Sequence, residues 1–264
     1  MNEFEEHDFE ILKRRVRTEA DRKIFEKVFD TQTINAIHVL ATKGIFDTLE
    51  HIVSTGKEAH VFVATDFSGN KRAVKIFKKE TTDFKRMHEY IRGDKRFRNL
   101  KQDRRSLVFA WTQKEFKNLI AANEADLSVP LVLGFRENVL VMEFIGQGEG
   151  PAPKLRETKP DKEELKGYYD QVVDFAARFY IAGFVHADLS EYNILVKGKK
   201  LVVIDFGQAV QLNHEKAGEF FSRDAENMAK YFSKSGLQRS FKEMYGDIKK
   251  RKEALQTGKR GGCE

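Results

Sequence analysis

The sequence predicts an α+β protein of two lobes, and three observations carry that prediction. The first half alternates short apolar runs with turn residues at strand-like spacing. The stretch Ile145-Gly146-Gln147-Gly148-Glu149-Gly150-Pro151-Ala152-Pro153 then breaks every period, and the second half carries apolar stripes at helical spacing. A chain of 264 residues can bury a substantial core, as one bilobal domain or two small ones. Lys and Arg number 47 against 41 Asp and Glu, a net +6 that permits an acidic or nucleic-acid partner and equally serves solubility. The single cysteine, Cys263, excludes an intrachain disulfide and suits a reducing compartment. No signal-like or membrane-length apolar run is present, and Met1-Asn2-Glu3-Phe4-Glu5-Glu6 has the wrong charge for secretion. The expectation is a cytoplasmic protein with no membrane partner.

Residues 1–48 are expected to form N-terminal helices that pack on the first lobe. The first twenty are charged and weakly periodic. From Ala20 to Lys43, apolar Ile24, Phe25, Val28, Phe29, Ile34, Ile37, Val39 and Leu40 recur at helical intervals, with Thr33 a plausible cap and Gly44 a stop. Residues 49–144 form the first lobe. Its strands are expected at Leu49 to Val53, His60 to Ala64 and Arg72 to Phe77, with a turn at Asp66 to Asn70. Between the first two, after Val53, lies Ser54-Thr55-Gly56-Lys57-Glu58-Ala59. A tight turn of small residues can bring backbone N–H groups over phosphates. It is not a Walker loop, because Gly56-Lys57 is followed by Glu58 and a strand. Read alone, such a loop is more often just a hairpin turn.

Lys75, inside the apolar strand Ala73-Val74-Lys75-Ile76-Phe77, needs an acidic or phosphate partner, since an unpaired buried ammonium costs several kcal/mol. Glu115, in the helical stretch Trp111 to Leu119, is the best candidate. Residues 79–105 are long, charged and weakly periodic, and read as a mobile basic loop, with Thr81, Thr82 and Ser106 phosphorylatable in or beside it. Leu131 to Arg136 and Val139 to Phe144 read as a second hairpin, and residues 145–153 as a hinge. Residues 154–255 form a smaller helical lobe. Asp161 and Glu164 can build a capping box ahead of Tyr168, Val172, Phe175, Ala176 and Phe179. Ser222 to Ser233 and Leu237 to Leu255 read as two further helices, and residues 256–264 as a disordered tail.

Phe184 to Val210 holds the densest chemistry. Two apolar runs, Asn193 to Val196 and Leu201 to Ile204, flank the turn Lys197-Gly198-Lys199-Lys200. Asp188 precedes the first run, Asn193 opens it, and Asp205 ends the second, so an antiparallel hairpin gathers three oxygen-bearing side chains at one end. Oxygen donors of this kind suit Mg²⁺, with Mn²⁺ as a substitute, because Mg²⁺ takes its remaining ligands from water and substrate phosphates.

The spacing His186-x-Asp188-x-x-x-x-Asn193 followed by Asp205-Phe206-Gly207 resembles the catalytic and metal loops of protein kinases. The chain is further similar to the RIO family of atypical protein kinases, in the branch without an N-terminal winged helix. That resemblance runs from about Leu49 to Phe232. It rests on Ser54 to Ala59, Ala73-Val74-Lys75, Glu115, Met142-Glu143-Phe144-Ile145-Gly146, His186-Ala187-Asp188-Leu189-Ser190-Glu191-Tyr192-Asn193 and Ile204-Asp205-Phe206-Gly207-Gln208. It implies a bilobal protein-kinase-like fold, with an antiparallel sheet plus helix in the N-lobe and a reduced, mostly helical C-lobe. It implies that Asp188 is the catalytic base, that Asn193 and Asp205 are the Mg²⁺ ligands, and that Lys75, paired with Glu115, holds ATP phosphates. The loop from Val53 to Ala59 and Ala73 would line the nucleotide, with Glu143 and Ile145 offering backbone groups to adenine. Asp205 would also be a transient aspartyl-phosphate site.

Departures from ordinary protein kinases matter. Ala187 replaces the arginine that reads a phosphorylated activation loop, Ser190 replaces a lysine at the γ-phosphate, and no Ala-Pro-Glu follows Asp-Phe-Gly. The first two departures, with a short C-terminal region that leaves no room for the usual peptide-binding helices, point to slow turnover on peptides or to a role as an ATP-driven switch. The first expectation is therefore an ATP- and Mg²⁺-dependent serine/threonine kinase that autophosphorylates, with Ser106 the favoured acceptor. The second is an ATPase switch on the pre-ribosomal small subunit, with rRNA met by Lys85, Arg86, Arg92, Lys95, Arg96, Arg98, Lys101, Arg104 and Arg105. A small-molecule phosphotransferase of the aminoglycoside or choline type is the alternative, disfavoured by the short C-terminal lobe. Nothing in the residues sets the oligomeric state.

Overall fold

The computed structural model describes residues 29–80, 84–98, 100–101, 103–147 and 150–258. Expectations that fall on residues 1–28, on Thr81 and Thr82, and on residues 259–264 with Cys263 lie outside the described residues. The chain divides into two compact units. The first comprises the described residues up to Arg92, with Arg96–Lys117 and Leu131–Phe144; the second comprises Gly93–Lys95, Asn118–Pro130 and the described residues from Ile145 onward.

The first unit is built on a five-stranded antiparallel sheet. Strands β1 (Thr48–Thr55), β2 (Ala59–Thr65), β3 (Lys71–Phe77), β4 (Val132–Arg136) and β5 (Val139–Glu143) lie in the order β1-β2-β3-β5-β4. Helix α1 (Thr31–Thr42) packs its Ile34, Ile37 and Leu40 with Phe46, just ahead of β1, and with Leu49, Phe62, Val74, Ile76, Val139 and Val141 of the sheet to form the core. Its N-cap is Asp30, not Thr33: the Asp30 carboxylate accepts both the N–H (2.9 Å) and the hydroxyl (2.7 Å) of Thr33. An extended aspartate three residues back meets an orphan helix N–H better than a threonine already inside the first turn. Gly44 ends the helix region at φ +74°, a conformation that costs glycine little.

The segment expected as a loop contains helix α2 (Phe84–Arg92) and a 3-10 turn, Lys95–Phe97. Met87, Tyr90 and Ile91 are buried at helical spacing, while Lys85, Arg86, His88, Glu89 and Arg92 are exposed. Three apolar residues in so charged a stretch suffice for one narrow stripe. Helix α3 (Arg104–Glu124) follows, beginning at the Arg104-Arg105-Ser106 run.

In the second unit, the short pair β6 (Gly146–Gln147) and β7 (Gly150–Pro151) occupies the expected hinge stretch. Helix α4 (Lys162–Ile181) starts at the expected capping box: Asp161 accepts the Glu163 and Glu164 N–H groups at 2.8 Å, and Glu164 accepts the Asp161 N–H at 3.2 Å. Strand β8 (Phe184–Val185) pairs with β11 (Val210–Gln211), and β9 (Ile194–Lys197) pairs with β10 (Lys200–Val203). Helix α5 spans Ala217–Lys234, starting earlier than expected because Ala217, Phe220 and Phe221 extend its buried face. Helix α6 spans Phe241–Gly258, and Ser240 and Glu243 cap it reciprocally. Six α-helices are present among the described residues. None of the helices is long and apolar enough to cross a membrane.

Candidate active site

In the first unit, β3 places Lys75 opposite Leu140 of β5 and Val61 of β2, so its stem is walled by apolar neighbours. Its ammonium reaches Glu115 of α3, with both carboxylate oxygens at 2.8 Å. The Glu115 side chain is 1% exposed and that of Lys75 12%. A carboxylate buried that deeply persists only with a paired cation. The ion pair therefore holds the ammonium in one place at the centre of the sheet.

The Ser54 to Ala59 turn joins β1 to β2. The Gly56 N–H closes it onto the Ala59 carbonyl at 2.9 Å, so that group is not offered to a ligand. Lys78 braces the turn from β3, its ammonium on the Gly56 carbonyl (2.7 Å) and its N–H on that of Glu58 (2.8 Å). Ser54, Thr55, Gly56 and Lys57 are exposed, while Val53 and Glu58 are half-buried. Ala73 is buried on β3. Glu143 donates its N–H to Leu131 (2.7 Å). Ser106 sits in the first turn of α3, its hydroxyl bonded to Asp103 at 2.6 Å.

In the second unit, the β9–β10 hairpin does what its sequence demands. The Ile204 N–H donates to the Asn193 carbonyl (2.9 Å), which sets Asp205 one residue beyond Asn193's partner. The Asn193 side-chain amide donates to Asp188 twice, to its carbonyl at 2.9 Å and its Oδ2 at 3.0 Å. Gln208 donates to the same Oδ2 at 3.0 Å. Two amides on one oxygen fix the rotation of the Asp188 carboxylate. The Asn193 amide, committed to Asp188 through its nitrogen, keeps its oxygen as an acceptor. That oxygen and the exposed Asp205 carboxylate are hard donors at the open end of the β9–β10 hairpin, just outside its strands, and they fit Mg²⁺. Among the described residues no group of three or more His, Cys, Asp or Glu could hold a metal, so a softer or all-protein site is not built here. The Ile145 carbonyl accepts the Ala152 N–H at 3.0 Å.

Two residues of this site stand in the left-handed region: Ala187 at φ +65° and Asp205 at φ +67°. Each costs about 1–2 kcal/mol for a side chain bearing a Cβ. The strain is held by groups that sequence reading did not single out. Asp224 of α5, 5% exposed, accepts the Ala187 N–H at 2.7 Å and the Leu189 N–H at 2.9 Å, and Arg223 donates to the Ala187 carbonyl. Asn118, in the C-terminal part of α3, donates to the Phe206 and Ala209 carbonyls at 2.9 Å each, fastening the turn after Asp205. The His186 ring meets the Ile204 carbonyl at 3.2 Å and packs on Phe206 with centroids 4.9 Å apart. Asp224 carries the signal that identified Lys75, a charge within an apolar stripe (Phe220, Phe221, Ala225, Met228), and could have been found the same way.

The sheet with its lysine–glutamate pair, and the hairpin presenting Asp188, Asn193 and Asp205, define the chain as a protein-kinase-like phosphotransferase. A model of the RIO domain matches residues 60–244. The RIO-type serine/threonine-protein kinase Rio1 of Haloferax volcanii is 38% identical over 240 residues, covering 91% of this chain and 82% of that protein. The human serine/threonine-protein kinase RIO1 is 37% identical over 226 residues, covering 84% of this chain but 40% of that protein. The crystal structure of the Rio2 kinase-ADP/Mg²⁺-phosphoaspartate complex from Chaetomium thermophilum superposes with a TM-score of 0.63 at 20% identity, covering 85% of this chain and 70% of that one, and shows the shared fold. The chain belongs to the RIO family of atypical serine/threonine protein kinases. Membership sets aside the small-molecule phosphotransferase alternative.

Burial pushes Asp224 up to about 7, outweighing the Leu189 and Ala187 N–H donors that favour its ionised form. Its folded pKa thus stands above its unfolded value of about 4. Between these values the folded chain holds a proton that the unfolded chain has released, so stability falls as pH rises through the window, and the loss is complete above it. Asp224→Asn removes the titration. Thermal unfolding from pH 4 to 8 should show a downward slope in wild type that the variant lacks, and parallel curves would contradict the assignment.

Proposed function

We propose that this chain transfers the γ-phosphoryl group of ATP to serine or threonine, its own Ser106 included. The observation that supports this most is the fixed Asp188 carboxylate, held by Asn193 and Gln208 beside the Asp205 turn. An acceptor hydroxyl passes its proton to Asp188 as its oxygen forms the new bond to phosphorus, and the bond to the β-phosphate oxygen breaks to release ADP. Lys75, kept in place by Glu115, binds the α- and β-phosphates. The turn from Val53 to Ala59 and Ala73 line the nucleotide, and Glu143 and Ile145 orient its base. Asn193 and Asp205 would hold Mg²⁺, or Mn²⁺, which when bound neutralises phosphate charge. With Ser190 in place of a lysine at the γ-phosphate, one fewer positive charge stabilises the transition state, and slow turnover follows.

A second reading, an ATP-driven switch on the pre-ribosomal small subunit, draws support from the net +6 and from exposed Lys85, Arg86, Arg92, Lys95, Arg98, Lys101, Arg104 and Arg105. In that mode Asp205 takes the phosphate transiently as an aspartyl phosphate, and water then releases it.

ATP turnover followed by mass spectrometry of the protein separates the two. Phosphoserine that disappears in Asp188→Ala, with turnover lowered about 100-fold or more, is expected for the kinase. Phosphate release without any protein-bound phosphate would contradict it. For the switch, binding to an rRNA fragment should weaken steeply with salt, the mark of phosphate contacts; salt-independent binding would contradict it.

A further inference from the structure

We propose that Arg156, laid against the ring of Tyr192, is an anion subsite that reads an acidic or phosphorylated residue of the acceptor segment. This rests on the kinase reading above and adds the substrate class to it.

Tyr192 is a large side chain left 47% exposed, one residue before Asn193 in the loop that carries Asp188. The Arg156 guanidinium carbon lies 4.4 Å from its ring centroid. Arg156 belongs to the 3-10 turn Leu155–Glu157, which is fastened to the same loop and hairpin. Its N–H donates to the Glu191 carbonyl (3.2 Å), the Val196 N–H donates to the Pro153 carbonyl (2.8 Å), Lys154 bridges to Leu195, and Leu155 is fully buried. The guanidinium therefore has a fixed place relative to Asp188, through Tyr192, Asn193 and the amide bond that Asn193 makes to the base.

Among the described residues no carboxylate pairs with Arg156. The neighbouring Glu157 carboxylate is turned to the Lys154 N–H at 3.0 Å. An exposed cation–π contact contributes only about 0.5–1 kcal/mol, enough to hold the guanidinium plane while leaving its N–H edges outward. That edge is the fork that a carboxylate or phosphate fills with two parallel hydrogen bonds. A hydroxyl placed at Asp188 brings the residues next to it in an extended segment past Tyr192. A segment with Asp, Glu or a phosphorylated residue near its acceptor therefore fits, and a basic one is repelled.

The test uses the full chain with ATP and four peptides that share one serine, flanked by Asp, phosphoserine, Ala or Arg. Wild type should favour the Asp and phosphoserine peptides over the Ala peptide by about tenfold in kcat/KM, carried by KM. The two anionic arms show whether carboxylate or phosphate is read. Arg156→Ala should bring the ratio of the acidic to the Ala peptide to about one, Tyr192→Phe should retain it, and Arg239→Ala, which strips a guanidinium from the distant Tyr169 ring, should leave it as in wild type. The proposal is overturned if Arg156→Ala keeps the ratio, if that variant raises KM for ATP instead, or if no peptide is labelled by a protein that still autophosphorylates. Loss of autophosphorylation in wild type would overturn the kinase reading itself.

Discussion

A buried carboxylate governs the loop that carries Asp188. Asp224 is buried, and it accepts two backbone N–H groups, from Ala187 and Leu189, on either side of Asp188. Those two bonds, with Arg223 on the Ala187 carbonyl, hold a left-handed alanine that a free chain would avoid. The residue between them is thereby turned outward, where Asn193 and Gln208 set the direction of its side chain. The loop is shaped from beneath by one buried carboxyl group and oriented from above by two amides.

The same logic recurs at Asp205. Its φ of +67° is strained, and the turn after it is tied down by Asn118 on the Phe206 and Ala209 carbonyls and by Phe206 packed against His186. Backbone strain of this kind is sustained only where surrounding bonds over-determine it. In the first unit the device is different. Lys75 is placed by charge rather than by backbone, because a glutamate with no other access to solvent fixes where its partner ammonium must sit.

Much of this was legible in the residues. Strands β1 to β3, the β9–β10 hairpin and the Asp161 capping box follow from alternation and turn chemistry within a few neighbours, and the Lys75–Glu115 pair from the cost of an apolar strand containing an ammonium. What was not legible depends on partners far away in sequence. Asp224 meets Ala187 across 37 residues and Asn118 meets Phe206 across 88, and neither spacing leaves a periodic trace. Helix α2 was hidden for another reason: Met87, Tyr90 and Ile91 are a thin stripe among charges that raise the apparent polarity of the whole segment. The helix cap moved from Thr33 to Asp30 because both are good capping residues, and Asp30, extended ahead of the first turn, reaches the Thr33 N–H.

If Asp224 acts only by placing Asp188, removing it from an enzyme that already lacks Asp188 should cost nothing further. The decisive measurement is a double-mutant cycle on the rate of phosphate incorporation, with Asp188→Ala, Asp224→Asn and the pair together. The account predicts that the double variant is as slow as Asp188→Ala alone. Two losses that multiply would contradict it, and would mean that the buried carboxylate serves the reaction by a route that does not pass through Asp188.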